Sequence, residues 1–219
     1  MIRRSGLSLS LSLTFAVALV AVGCSSTPEV KGGAVAKTVT AAAADMDKAS
    51  AQIASTLTAL DALVKNPGPD LKPQYEAFSK HLGELESSAK DLAETTAKMQ
   101  DNAREYFAGW DEQLAAVRNE DIREDSADRR SEVEAGLKKI QEQYAKVRED
   151  FNPLLQDLAD IRTALSTDLT MAGLKNVKGP IGDAADDADD VKKGLAELAE
   201  SFRKLGTKLS QSGPPAPPK

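Results

Sequence analysis

Apolar residues recur at alternating intervals of three and four along most of this chain. The pattern occupies segments 34–65, 71–117 and 120–167, and it returns after Pro180. In the first segment the repeating positions are Val35, Val39, Ala42, Met46, Ala49, Ile53, Thr56, Leu60 and Leu63. This spacing places the side chains on one stripe of an α-helix, as in coiled coils and thin helical bundles. The sequence therefore predicts an all-α fold.

Composition supports this prediction and limits the classes of partner. The chain has 219 residues, of which 28% are charged and only 4% are aromatic, too few for a compact β or α/β core. Its net charge is −6, and no cluster of lysine and arginine forms a basic stripe. Because phosphate binding depends on such clusters, we expect no binding of nucleic acid.

Proline and glycine residues separate four predicted helices. Asn66-Pro67-Gly68-Pro69 ends the first helix, and Asp70 is a candidate N-cap for the second. Segment 166–179 connects the third helix to a fourth that begins near Pro180, and a helical turn after Thr170 is compatible with this connector. Pro153 lies inside the third helix, but the apolar spacing continues across it. We therefore predict a kink there rather than a break.

The predicted helices differ in length, which constrains how they pack. The second and third helices span about 70 Å each, and the first and fourth span about 48 Å. Short connections make neighbouring helices antiparallel. We expect an elongated antiparallel bundle with a long hairpin of the second and third helices, whose far tip, roughly 103–135, projects alone. The same apolar stripes leave self-association open as an alternative.

The first 24 residues have the features of a lipoprotein export signal. Arg3 and Arg4 precede the apolar segment 7–22, and Ala21-Val22-Gly23-Cys24 closes it. This closing stretch resembles the bacterial lipobox, in which cleavage precedes a diacylated cysteine. The alternative is an ordinary secretory signal followed by an incidental cysteine. We predict a signal peptide 1–23, a lipid-anchored tether 24–33, a helical bundle domain 34–211 and a disordered proline-rich tail 212–219.

Lipidation of Cys24 predicts attachment to a membrane. Two or three acyl chains on one residue anchor a protein more firmly than the marginal binding of a single chain. Ser25 follows the cysteine where sorting to the inner membrane would use aspartate, so we expect the outer membrane, with the chain facing the periplasm. No later segment has the uncharged run that a transmembrane helix requires.

One stretch, 106–169, has a specific set of residues beyond its helical spacing. The set is Phe107, Trp110, Asn119, Arg123, Ser126, Tyr144, Pro153, Leu155, Asp160 and Leu165. Its most specific part runs from Trp110 through Arg123 and Ser126 to Pro153. In these residues the chain resembles a family of bacterial predicted lipoproteins, the domain of unknown function DUF2959. The resemblance implies a helical envelope lipoprotein and supplies no activity.

The sequence contains no arrangement typical of catalysis or of a metal site. His81 is the only histidine, and it lies beside an apolar stripe, where a solvated side chain is expected. Five carboxylates open the fourth helix and favour its dipole, but they lack the glycine and terminal glutamate of a calcium loop. They are Asp183, Asp186, Asp187, Asp189 and Asp190. We expect no enzyme activity, no cofactor and no bound metal.

Large aromatic residues crowd only at the predicted tip, where Tyr106, Phe107 and Trp110 lie within five positions. A bare two-helix hairpin buries such a group poorly. Two interpretations remain open: the rings pack against segment 119–130, or they form part of a contact surface. For the second interpretation the hypothesised contact residues are Phe107, Trp110, Asn119, Arg123 and Ser126.

The favoured functional hypothesis is a non-catalytic helical scaffold or interaction module that presents this tip to an envelope protein. A second hypothesis is a carrier whose small stripe residues leave a groove for an apolar ligand. These residues are Ala42, Ala49, Ala89, Thr96, Ala103, Ala184 and Ala188. A third hypothesis is a structural spacer joined to peptidoglycan through the terminal Lys219.

Overall fold

A computed structural model of the protein describes residues 28–211, which form five α-helices and no strand. The helices are α1 (Pro28–Lys65), α2 (Lys72–Ala116), α3 (Glu120–Thr167), α4 (Met171–Asn176) and α5 (Lys178–Gln211). The predicted all-α fold is confirmed. The predicted signal peptide 1–23, the lipidation residue Cys24 and the tail 212–219 with Lys219 lie outside the described residues.

The first helix begins earlier than the sequence predicts. It starts at Pro28, six residues before position 34, and the Gly32-Gly33 pair lies within it. Proline suits the first turn of a helix because its missing N–H would have no acceptor there. Residues 28–33 of the predicted tether 24–33 are therefore helical and belong to α1. None of the described helices combines the length and the hydropathy that a membrane span requires.

Local hydrogen bonds lie at the starts of α2 and α4. Leu71, not Asp70, occupies the N-cap position of α2, although Asp70 Oδ1 accepts a hydrogen bond of 3.0 Å from the Lys72 backbone N–H. Before α4, Thr170 Oγ1 accepts a hydrogen bond of 3.2 Å from the Gly173 backbone N–H, which confirms the predicted helical turn. The helix α3 continues across Pro153 without a break, as predicted.

Four long helices form a ring in the order α2, α1, α5 and α3. Helix α1 packs extensively against both α2 and α5, and α5 also packs against α3, whereas α2 and α3 meet sparsely. Gly194 permits the close approach of α5 to α3, since a Cβ there would lie 3.0 Å from Val147 Cγ2. The largest fully buried side chains include Phe78, Phe202, Met46, Ile53, Leu60, Met99, Leu154 and Leu158. The core is thus one apolar column enclosed by the four stripes.

Contacts between the helices establish their antiparallel register. Thr95 Oγ1 donates a hydrogen bond of 2.7 Å to Asp45 Oδ2, which aligns α2 with α1. Gly206 of α5 lies against Val39 of α1. The first turns of α1 and the last turns of α5 therefore lie at the end of the bundle from which the α2–α3 hairpin projects.

The projecting part of the hairpin is shorter than predicted. Ala103, Tyr106 and Val133, which fall within the predicted span 103–135, are buried. None of residues 111–132 is buried. We call residues 111–132 the hairpin tip, and its existence confirms the prediction from unequal helix lengths.

Candidate contact site at the hairpin tip

Three aromatic side chains form the base of the hairpin tip. The Tyr106 side chain is buried, whereas Phe107 and Trp110 are half-buried. The ring centroid of Tyr106 lies 5.6 Å from that of Phe107 and 5.3 Å from that of Trp110, in tilted and edge-to-face arrangements. Such geometries suit the quadrupoles of aromatic rings. The three residues are therefore a packed cluster on α2.

Helix α3 completes this cluster. Trp110 Nε1–H donates a hydrogen bond of 2.9 Å to Ser126 Oγ. The guanidinium carbon of Arg130 lies 5.0 Å from the centroid of the Phe107 ring, within the range of a cation–π contact. Of the two interpretations that the sequence left open, the structure shows packing of the rings against segment 119–130.

Arg130 links the two helices of the hairpin electrostatically. Its Nε lies 2.6 Å from Asp111 Oδ1 on α2, and its Nη1 lies 2.8 Å from Glu134 Oε2 on α3. Burial lowers the pKa of Arg130, but the hydrogen bonds and negative charges of Asp111 and Glu134 more than offset this effect, and the net pKa is raised. The guanidinium therefore remains charged, and its ion pair with Asp111 connects α3 to α2 at the base of the tip.

The pKa of the Tyr106 hydroxyl agrees with a packing role for this residue. Burial raises the pKa of its hydroxyl above the ordinary value, and the positive charge of Arg129 lowers it by a smaller amount. The phenol is therefore neutral at physiological pH.

Two further predicted contact residues lie near the turn and have local partners. Asn119 caps α3, because its Oδ1 accepts a hydrogen bond of 3.1 Å from the Ile122 backbone N–H. Arg123 forms an ion pair with Glu120 one turn earlier on the same helix. The structure thus brings all five predicted residues to the tip or its base, and each has a partner within the chain.

The end of the tip exposes a different set of side chains. Ile122 is 52% exposed, and only Met171, 61% exposed, matches it among the large hydrophobic residues of the described segment. Leu114 and Val117, before the turn between α2 and α3, are half-buried, and Arg118 forms no ion pair within the described residues. Sequence patterning gave a weak signal for Ile122, since it is an apolar residue outside the repeating stripe.

A groove lies between α2 and α3. Its volume is about 320 Å³. It is lined by Ala89, Leu92, Ala93, Tyr144, Val147, Arg148, Phe151, Asn152 and Leu155. The small side chains of Ala89 and Ala93 leave this space, and Arg148, which also lines it, forms no ion pair among the described residues. The groove therefore combines an apolar floor with one cationic group.

The remaining titratable candidates are paired or dispersed. His81 Nδ1 lies 3.3 Å from Glu84 Oε2, and Gln52 Nε2 donates to the His81 carbonyl oxygen at 3.1 Å. Asp187 and Asp190 line a second groove, of about 530 Å³, between α3 and α5 together with Lys193. Across residues 28–211, no three histidine, cysteine, aspartate or glutamate side chains converge as metal ligands would.

Comparison with known proteins assigns the chain to a family. Residues 28–205 match the family described as a protein of unknown function (DUF2959). The match extends on both sides of segment 106–169, which carries the resemblance in its sequence. No curated protein and no solved structure matches the chain. Because the match covers more than half of the sequence, the chain belongs to the DUF2959 family, whose function is unknown.

Proposed function

We propose that this protein is a membrane-anchored, non-catalytic helical module of the cell envelope, and that the hairpin tip is its contact element. Acyl chains on Cys24 would attach it to the outer membrane, with the bundle in the periplasm. The observation that carries the proposal is the projecting tip, residues 111–132, which has no buried residue. A segment that contributes nothing to the core but is held in a defined shape is suited to contact with another component.

The base of the tip supports this proposal. The pairing of Trp110 with Ser126 and of Arg130 with Asp111 connects α2 to α3 where the other helices end. These contacts rigidify the projection, and rigid presentation lowers the entropy cost of binding. The identity of the envelope partner, which the sequence predicts to be a protein, stays a prediction.

Photo-crosslinking in living cells tests the proposal. A photoreactive amino acid at Ile122 is expected to give a discrete adduct with an envelope component. The same amino acid at Met171 provides a matched control, because that side chain is also apolar and exposed but lies in α4, away from the tip. Adducts at neither position, with incorporation verified, or equal adducts at both, would contradict a contact role for the tip.

The groove between α2 and α3 favours a second candidate function, the carriage of an apolar ligand. Leu92, Val147 and Phe151 provide an apolar floor, and Arg148 offers a cation for an anionic head group. A volume of about 320 Å³ is at the low end of small-molecule sites, which fits a single-chain amphiphile.

Native mass spectrometry of the intact protein distinguishes this candidate. Addition of a long-chain fatty acid is expected to give a one-to-one complex, and Ala93→Trp, which fills the groove, is expected to abolish it. A complex that persists in Ala93→Trp would place the ligand elsewhere and eliminate the groove as a carrier site.

A further inference from the structure

The start of α1 and the hairpin tip lie at the same end of the bundle. Gly206 lies against Val39, and Gly136 lies against Leu205, so these positions share one level along the bundle axis. From that level α1 continues towards its first residue, Pro28, and α3 continues towards its first residue, Glu120, in the same direction. Any anchor attached ahead of α1 therefore leaves the molecule beside the tip.

Helix lengths give the relative heights. From Val39 to Pro28 the chain rises about 16 Å at 1.5 Å per residue, and from Gly136 to Glu120 it rises about 24 Å. The end of the tip consequently stands about 8 Å beyond Pro28. Cys24 precedes Pro28 by four residues, which span at most about 14 Å. The lipidated residue and the end of the tip can therefore reach one plane.

We propose that the apex of the hairpin tip, residues 114–123, rests on the lipid surface of the membrane that holds the Cys24 acyl chains. This inference rests on the proposed function, because it requires lipidation of Cys24. It deepens that function by naming the partner of the tip. The protein then has two attachments to one membrane, a covalent lipid and a shallow protein contact.

The chemistry of the apex agrees with a lipid surface. Ile122 exposes an apolar side chain at 52%, and Leu114 and Val117, which also belong to the apex, are half-buried. Arg118 adds a cation that no carboxylate of the described residues pairs with. Apolar side chains and arginine are both found in protein segments that bind at the headgroup layer.

Charge distribution specifies the kind of lipid. The hairpin tip carries eight acidic and four basic residues, a net charge of −4, whereas the apex 114–123 carries two of each and is neutral. The excess acid lies further from the plane of contact. We therefore expect the apex to contact a zwitterionic surface. Anionic lipid should weaken this contact, because its negative potential repels the remainder of the tip.

The lipid anchor itself favours lipid as the partner of the apex. A membrane contact needs only a few side chains in the headgroup layer when a lipid anchor already holds the protein there.

Environment-sensitive fluorescence on the lipidated full chain tests this inference. Cys24 is the only cysteine and its thiol is acylated in that protein, so the variants Ile122→Cys and Met171→Cys can each be labelled at the new thiol alone. The proteins are reconstituted in phosphatidylcholine vesicles, with and without phosphatidylglycerol. For the labelled Ile122→Cys protein we expect a blue-shifted emission and quenching by a lipid-attached quencher, and for the labelled Met171→Cys protein we expect neither effect. The shift in the Ile122→Cys protein should be smaller when phosphatidylglycerol is present.

Each outcome separates the inference from the proposed function. If the labelled Ile122→Cys protein floats with the vesicles but its label emits as it does in water, the lipid contact is overturned. The proposal of a membrane-anchored module is then unaffected. Failure of the wild-type chain to float or to carry acyl groups would overturn both. A protein adduct in place of a lipid adduct at Ile122 in cells would support a contact role for the tip and overturn the lipid surface as its partner.

Discussion

Replacing Cys24 with serine is expected to move the protein from the membrane fraction to the soluble periplasmic fraction. Each buried methylene of an acyl chain contributes about 0.8 kcal/mol to membrane binding, so two chains exceed any other attachment the molecule offers. Burial of one apolar side chain such as Ile122 contributes at most about 3 kcal/mol, which is too little to hold the protein by itself. Membrane fractionation combined with labelling by a radioactive fatty acid measures both consequences.

Serine in place of Met171 is the matched control for this experiment. That substitution changes an exposed side chain of α4 and is expected to leave both the fractionation and the fatty-acid label unaltered. Retention of the Cys24→Ser protein in the membrane fraction, together with loss of the label, would show that another part of the chain binds the membrane. The anchoring part of the proposed function would then be incorrect.

Replacing Phe202 with alanine is expected to lower the free energy of unfolding by about 3–5 kcal/mol. Phe202 is fully buried on α5, the helix that contacts both α1 and α3. Removal of its ring leaves a cavity that the surrounding helices cannot fill completely, because each also packs on a further neighbour. Urea unfolding followed by circular dichroism measures the change, and the melting temperature should fall by about 10 °C.

Met171→Ala is the control for the core substitution. The Met171 side chain is 61% exposed, and surface substitutions usually change stability by less than about 0.5 kcal/mol. A loss for Phe202→Ala no larger than that of Met171→Ala would contradict the packing of α5 at the centre of the bundle. A decrease in the slope of the unfolding free energy against urea concentration would indicate instead that the variant no longer unfolds in one cooperative step.

The aromatic cluster illustrates how much of the candidate site was predictable. Its location at the tip followed from sequence, because helices of unequal length leave the longer pair uncovered at one end. The partners of Trp110 and Phe107 did not follow, since Ser126 and Arg130 lie 16 and 23 positions away on another helix. Spacing along one helix predicts which face is apolar but not which side chain of a neighbouring helix meets it.

Some helix ends were predictable from the sequence and others were not. The start of α3 at Glu120 was predictable, because Asn119 caps it through its own side chain. The start of α1 was not, because the Gly32-Gly33 pair is typical of a linker and obscured the helix-initiating Pro28. Each glycine makes a helix less favourable by about 1 kcal/mol, and this cost is small beside the packing energy of a long helix.

The sequence alone determined that this protein is helical, where its long helices lie and that a hairpin projects beyond the others. These properties depend on the period of apolar residues and on chain length, both of which are local. Only the tertiary structure decided the ring order α2, α1, α5 and α3, the groove between α2 and α3, and the level of Pro28 beside the tip. Four similar apolar stripes can pair in several orders, and the choice among them depends on the shapes of side chains distant in sequence.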